Sequence, residues 1–332
     1  MNVLVLGGAG FVGTVLIPDL LEKGYKVKLL DNFYYGKKPI ESFKDEVEIT
    51  KADIRTVKSS VFKNIDVAIN LAAIAQPDQR EILDPQLFYE INHKACARVA
   101  KLSKEEGVER FIWTSTNSVY GFQEDIVDEE SEPNPLEAYG KSKLLAEADT
   151  LSLADDNFIV SILRPATMYG VSPKMRYDLV VNGMTWALQE FGKINVMRDG
   201  NQWRSNVHVK DVSRAILALI KGSPDKIQKE IFNIGSNEQN YQILPLAKLI
   251  GDSVGVPYEL NWYGETDKRS YRVDFTKITE RLGFHVKHDV PNTAKELYNA
   301  LEQGIVPKTE KTSVINWCDN LVKKGKLSLI GL

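Results

Sequence analysis

The chain has 332 residues, 43% hydrophobic and 26% charged, a balance that suits a globular protein of one large or two ordinary domains. Its 42 basic and 45 acidic residues leave a net charge of −3 without long runs of one sign, which gives nucleic acid and anionic membranes no electrostatic hold. Cys96 and Cys318 fit neither a metal-ligand spacing nor a disulfide framework, and there is no signal-peptide leader or bilayer-spanning apolar run, so a cytoplasmic protein is expected.

Val3-Leu4-Val5-Leu6 reads as a strand buried on both faces. Gly7, Gly10 and Gly13 follow as G-x-x-G-x-x-G, and a helix is expected over residues 11–23, disturbed by Pro18 and ended by Gly24. Residues 27–31 form the next strand and complete a βαβ unit. Such glycines let the backbone turn tightly and let a pyrophosphate approach the free N–H groups of the helix N-terminus. Asp31 stands where an acid can bind an adenosine ribose 2′-hydroxyl and repel a 2′-phosphate, so NAD is favoured over NADP.

A third strand is expected over 47–50. Beyond it, Asp53 reads equally as a contact to the adenine amino group or as a helix N-cap. The fourth strand, 67–73, ends in small residues that admit a ligand's phosphates and ribose. A helix over 87–106 leads to the fifth strand, 111–115, and to the hydroxyl-rich stretch Thr116-Asn117-Ser118-Val119-Tyr120-Gly121. Asn134-Pro135 then breaks the chain ahead of a helix carrying Tyr139 and Lys143.

Residues at i and i+4 share a helix face. An ammonium beside a phenol favours the phenolate and lowers its pKa from about 10. A tyrosine so tuned can exchange a proton with an alcohol becoming a ketone, given a hydride acceptor nearby; the same spacing also describes an ordinary solvated pair. A sixth strand, 158–163, ends at Arg164-Pro165. After it come a loop at 172–176, helices at 178–191, 211–221, 243–254 and 293–303, and strands at 203–209 and 230–234. His208 is read as a structural hydrogen bonder, His285 and His288 as surface residues, and no metal site is expected.

The pattern is that of an α/β protein with a doubly wound parallel (Rossmann) sheet. Residues 1–165 with about 204–236 form the dinucleotide domain. Residues 166–203 and 237–306 form a smaller, partly interleaved substrate domain, and 307–332 a Lys-rich extension without visible chemistry.

Taken in order, these motifs resemble the extended short-chain dehydrogenase/reductases, the nucleotide-sugar epimerase/dehydratase group. The resemblance rests on the glycine motif, Asp31-Asn32, Asp53-Ile54-Arg55, Asn70-Leu71-Ala72-Ala73, the segment from Ser115 to Gly121, Tyr139-x-x-x-Lys143, Leu163-Arg164-Pro165, Asn206-Val207-His208-Val209-Lys210-Asp211 and Phe232-Asn233-Ile234-Gly235. It implies that Tyr139 is the acid/base, that Lys143 lowers its pKa and holds the nicotinamide ribose, and that Thr116 bonds the reacting hydroxyl. Ser118 is the second candidate for that hydroxyl, and Ser115 lies beside the cofactor. Around NAD the resemblance places Gly7, Gly10, Phe11, Val12, Asp31, Asn32, Asp53, Ile54, Leu71, Ala72, Ala73 and Pro165.

On the substrate it places Thr167, Arg176 and Asn182, with Arg204 and Arg269 gripping the nucleotide diphosphate; read without the family, either arginine is an ordinary surface charge. Asn117 and Ser118 replace the Asp-Glu pair of the dehydratases, and Ser118 the glutamate of decarboxylating members. Epimerisation, one-way oxidation and ketone reduction are left. Thr167 replaces an asparagine of galactose epimerases. The stretch 172–182 and Asp267-Lys268-Arg269 are similar to bacterial GDP-heptose 4-dehydrogenases. The expected function is that of an NAD-dependent nucleotide-sugar epimerase working at C4 through a 4-keto intermediate. The alternatives are a one-way 4-dehydrogenase or 4-keto reductase and, among non-enzymes, an NAD-sensing regulator. A homodimer through the helices after the fourth and fifth strands is also implied.

Overall fold

The computed structural model describes residues 1–75 and 82–332. Its first half alternates strand and helix: β1 (Asn2–Leu6), α1 (Gly13–Glu22), β2 (Lys26–Asp31), β3 (Glu48–Lys51) and β4 (Val67–Asn70). A composite helix follows, with α2 (Pro85–Phe88), a π-helical stretch Tyr89–Lys94, and α3 (Ala95–Glu105). Next come β5 (Arg110–Thr114), β6 (Phe122–Val127), α4 (Ala138–Ser152) and β7 (Ile159–Pro165). The second half contains β8 (Thr167–Tyr169), α5 (Val180–Phe191), β9 (Lys193–Met197), β10 (Trp203–His208), α6 (Val209–Lys221), α7 (Pro224–Ile227) and β11 (Glu230–Ile234). It closes with β12 (Asn240–Gln242), α8 (Ile243–Val254), β13 (Glu259–Tyr263), β14 (Ser270–Val273), α9 (Thr276–Leu282), α10 (Val290–Glu302) and α11 (Val314–Lys323).

Seven strands make one sheet in the order β11-β7-β5-β4-β1-β2-β3, and each neighbouring pair is parallel. Strand order turns back between β1 and β4, so the crevice beyond their carboxyl ends is where such a sheet takes a ligand. Helices cover both faces, which explains why Val3 to Leu6 read as a continuous apolar run. Leu16, Ile17 and Leu20 of α1 pack one face with Val212, Ile216 and Leu219 of α6. Val99 and Ala100 of α3 and Ala146 of α4 pack the other. A separate cluster joins Met184 and Leu188 of α5, Leu246 and Ile250 of α8, and Ala294 of α10 around Ile194 of β9.

Several expectations need adjusting. β4 stops at Asn70, whose Oδ1 accepts from Ala72 N at 3.2 Å, so Leu71 to Ala73 form a loop over the sheet edge. The 203–209 strand joins a small sheet, β12-β10-β8, and not the large one. Pro18 leaves α1 intact, and Gly24 at φ +77° supplies its left-handed end. His208 is structural as read: its Nδ1 accepts from Lys210 N at 3.1 Å and caps α6. His288, expected at the surface, is engaged, with its ring stacked 4.2 Å from that of His208 and its Nδ1 3.1 Å from Asp211 Oδ2.

The last residues are tied to the sheet domain. Trp317 Nε1 donates to Tyr34 O at 2.9 Å, and Arg55 Nη1 donates to Ser328 O at 2.6 Å. The buried Glu90 carboxylate accepts from the backbone N–H groups of Ile330, Gly331 and Leu332 at 3.0, 2.8 and 3.4 Å. Among the described residues no helix is long and apolar enough to cross a membrane.

Candidate active site

The glycine turn is built by backbone contact. Gly7 lies at φ +78°, and a Cβ there would sit 2.7 Å from Ala72 N; a Cβ on Gly13 would sit 2.5 Å from Gly8 O. Only glycine lets the turn and the loop after β4 meet this closely. Asp31 closes the turn from the end of β2: Oδ2 accepts from Ala9 N at 3.0 Å and Oδ1 from Phe33 N at 2.7 Å. Burial raises its pKa, and those N–H groups oppose the rise. α1 begins without a capping side chain and with no acid in its first turn, so its N-terminal N–H groups favour an anion.

Gly7, Gly10, Phe11, Val12, Leu71, Ala73, Ser115, Tyr139, Lys143, Pro165 and Arg176 line one cavity. Asn32, Asp53, Ile54 and Ala72 are not among its walls. Asn32 Oδ1 accepts from Tyr34 N at 3.0 Å. The Asp53 carboxylate is taken by Arg55, with Nη2 at 2.7 Å and Nε 3.1 Å from both oxygens, and no helix starts there, so the N-cap reading is corrected. The Ile54 side chain is in the core, which leaves only its backbone for any ligand.

The reacting centre lies where β5 ends. Ser115 N donates to Leu163 O at 2.7 Å, and Ser115 Oγ is buried without a hydrogen-bond partner among the described residues. Thr116 opens the short 3-10 turn that follows, its Oγ1 accepting from Ser118 N and lying 3.1 Å from Ser118 Oγ. Gly121 lets this segment touch the next, since a Cβ there would strike Asn134 O. Asn134 leads into α4, and Tyr139 therefore stands one residue inside the helix, beside Thr116.

Burial pushes the Tyr139 hydroxyl above its ordinary value, while a hydrogen bond with Thr116 and the charge of Arg176 pull it back. Lys143 is not among the groups that act on this pKa in the structure. The Lys143 ammonium donates to Thr114 O at 2.8 Å and rests 4.8 Å from the centre of the Trp113 ring, and burial brings its own pKa down to about 8.

The residues expected on the substrate fall into four groups. Arg176 lines the cavity and pairs with Asp178 at 3.0 and 3.1 Å. Arg204 and Arg269 share Asp267, at 2.6 and 2.8 Å, and Glu137, just before α4, lies 3.5 Å from Arg269 Nε. Asn182 is corrected to a scaffold residue: it is fully buried, its Oδ1 accepting from Gly170 N at 2.9 Å and its Nδ2 donating to Arg176 O at 3.0 Å. Thr167 begins β8, half-buried and opposite Asn206. The structure adds Lys174, Tyr35 and Val314 to the cavity wall. Tyr35, in a loop without a motif, and Val314, in the tail, carried no signal; Lys174 lies in the 172–182 stretch, which points to a subgroup of the family and not to a cavity wall.

Residues 3–235 match the family described as the NAD dependent epimerase/dehydratase family. A UDP-glucose 4-epimerase of Yersinia pestis is 28% identical over 90% of this chain and 97% of its own length. UDP-glucuronic acid decarboxylase 4 of Arabidopsis thaliana is 30% identical over 86% of this chain and 65% of its own length. Among solved structures, UDP-glucuronic acid 4-epimerase of Bacillus cereus, in complex with UDP-glucuronic acid and NAD, is 25% identical with a TM-score of 0.83, over 91% of this chain and 99% of that one.

Proposed function

The chain belongs to the NAD dependent epimerase/dehydratase family, and from that premise we propose that it is a UDP-sugar 4-epimerase. It is an NAD-dependent enzyme. The residues present suit the dinucleotide: the Gly7 turn has no room for a Cβ, no side chain caps α1, and the buried Ser115 Oγ has no partner among the described residues. In this reading Gly7, Gly10, Phe11 and Val12 cradle the pyrophosphate, and Ser115, Lys143 and Pro165 border the nicotinamide half. NAD, when bound, supplies the hydride acceptor and donor for the sugar carbon.

The observation that carries the reading is that Tyr139, Lys143 and Ser115 wall one cavity together with the glycine turn. Tyr139 removes the proton of the C4 hydroxyl, and Thr116 orients that hydroxyl and holds the phenol, with Ser118 Oγ 3.1 Å away to share the hydrogen bond. The charge of Arg176 favours the phenolate that then accepts the proton. Arg204 and Arg269, fixed in direction by Asp267, are assigned to the UDP diphosphate. Asn117 and Ser118 offer no carboxylate beside Thr116, which favours epimerisation over dehydration or decarboxylation. A homodimer packed through α4, where Leu145 is exposed, completes the proposal.

Tyr139→Phe tests the assignment. Turnover of UDP-glucose or UDP-glucuronic acid should fall by about 10²–10⁴-fold, with NAD and UDP still bound. Full turnover in the variant would remove Tyr139 from the chemistry.

A further inference from the structure

Lys174 is a buried cation with no task in the chemistry above. It lies in the loop after β8, is only 5% exposed, and lines the same cavity as Gly10, Phe11 and Gly13. Its ammonium sits 3.9 Å from the centre of the Tyr35 ring. Among the described residues no carboxylate forms an ion pair with it. Asp31 from β2 and Asp178 act on it at longer range, with Cys318 of α11, while Arg176 opposes its charge.

The position is held by the glycine turn itself. Ser172 Oγ donates to Phe11 O at 2.8 Å and meets Thr14 Oγ1 at 2.9 Å, and Lys174 N donates to that same Ser172 Oγ at 3.3 Å. The loop is thus stapled across the start of α1, whose N–H groups lack a cap. A buried ammonium without a counter-charge is costly, and an aromatic face offsets only part of that cost. Burial and Arg176 together bring its pKa down to about 7, as expected of a cation short of an anion.

We propose that Lys174 is a ligand of a pyrophosphate in this cavity, and that the pyrophosphate is the one in the bound dinucleotide. Both NAD and a nucleotide sugar carry such a group, but the staple to Phe11 and Thr14 ties Lys174 to the cofactor's side. The assignment rests on the glycine turn being the NAD site. It would make the loop after β8 part of the cofactor site, so that the anion is held from the helix N-terminus on one side and by a side chain on the other.

The test is equilibrium titration of the whole chain with NAD and, separately, with UDP, for the wild type, Lys174→Met and Lys174→Arg, each checked for folding by its melting temperature. Lys174→Met should weaken NAD by about tenfold or more and leave UDP unchanged, and Lys174→Arg should keep most of the NAD affinity. Unchanged NAD affinity in Lys174→Met, or a loss confined to UDP, would overturn the proposal. A wild-type protein that binds no NAD would remove the cofactor reading and this assignment together. If Lys174→Met does not fold, Lys174→Gln takes its place: NAD weakened by about tenfold with UDP kept supports the proposal, and unchanged NAD affinity contradicts it.

Discussion

Tyr139 and Lys143 share one helix face but turn to different partners, the phenol to Thr116 and the ammonium to Thr114 O. Because the Thr116 hydrogen bond lowers the Tyr139 pKa, Thr116→Val should raise it. If the phenolate is the base, the rising alkaline limb of kcat then moves to higher pH, and kcat near neutrality falls by about 10-fold or more. An unmoved limb in the pH–rate profile would separate Thr116 from the proton transfer. The i,i+4 spacing was readable from the chain, but its electrostatics were not, because the Lys143 partner comes from β5 and the charge acting on the phenol comes from the loop at Arg176. Asn182 shows the same limit. An asparagine at the start of a helix reads as a ligand or a scaffold alike until its Gly170 and Arg176 backbone partners are known.

α4 is anchored below its reacting end. Glu147, one turn past Lys143, receives Arg164 from β7 through Nε at 3.0 Å and Nη2 at 2.6 Å, with both residues buried. Arg164 Nη1 continues to Tyr120 OH at 3.0 Å, which donates to Asn233 Oδ1 of β11 at 2.9 Å. The chain of bonds fixes the catalytic helix against the sheet edge. Glu147→Gln leaves the guanidinium without its counter-charge and should cost about 3–5 kcal/mol, read as a fall in the denaturation midpoint; a change under about 1 kcal/mol would show the pair to be dispensable. β1, β4, β5 and β7 of the large sheet were legible because burial on both faces writes them as apolar runs. β8 and β12 were not, since strands this short take their pairing from β10 and not from their own pattern. The π-helical stretch Tyr89–Lys94 was also hidden, within a segment that reads as one continuous helix.

The whole chain closes on itself through its tail. Residues 307–332 looked empty of chemistry because their contacts are with segments hundreds of positions earlier: Val314 walls the cavity, Trp317 bonds the β2 loop, and Glu90 collects the final backbone N–H groups. Burial works against the Glu90 charge, but the N–H groups of Ile330, Gly331 and Leu332 and the Arg55 side chain outweigh it and hold its pKa below the usual 4.5. A depressed carboxyl pKa contributes stability that is full above the unfolded value and disappears as pH falls through the folded one. The tail should therefore loosen first on acidification, seen as faster amide exchange at residues 330–332, and Glu90→Gln should show that looseness at neutral pH. Equal exchange in variant and wild type would contradict this closure. The central claim concerns the reaction, and its most direct measurement uses UDP-glucose or UDP-glucuronic acid deuterated at C4. As an epimerase, the protein should interconvert the C4 epimers of one of them with the deuterium kept at C4 and no net reduction of added NAD. Accumulation of deuterated, reduced NAD in step with a keto sugar would contradict the account and make the protein a one-way dehydrogenase.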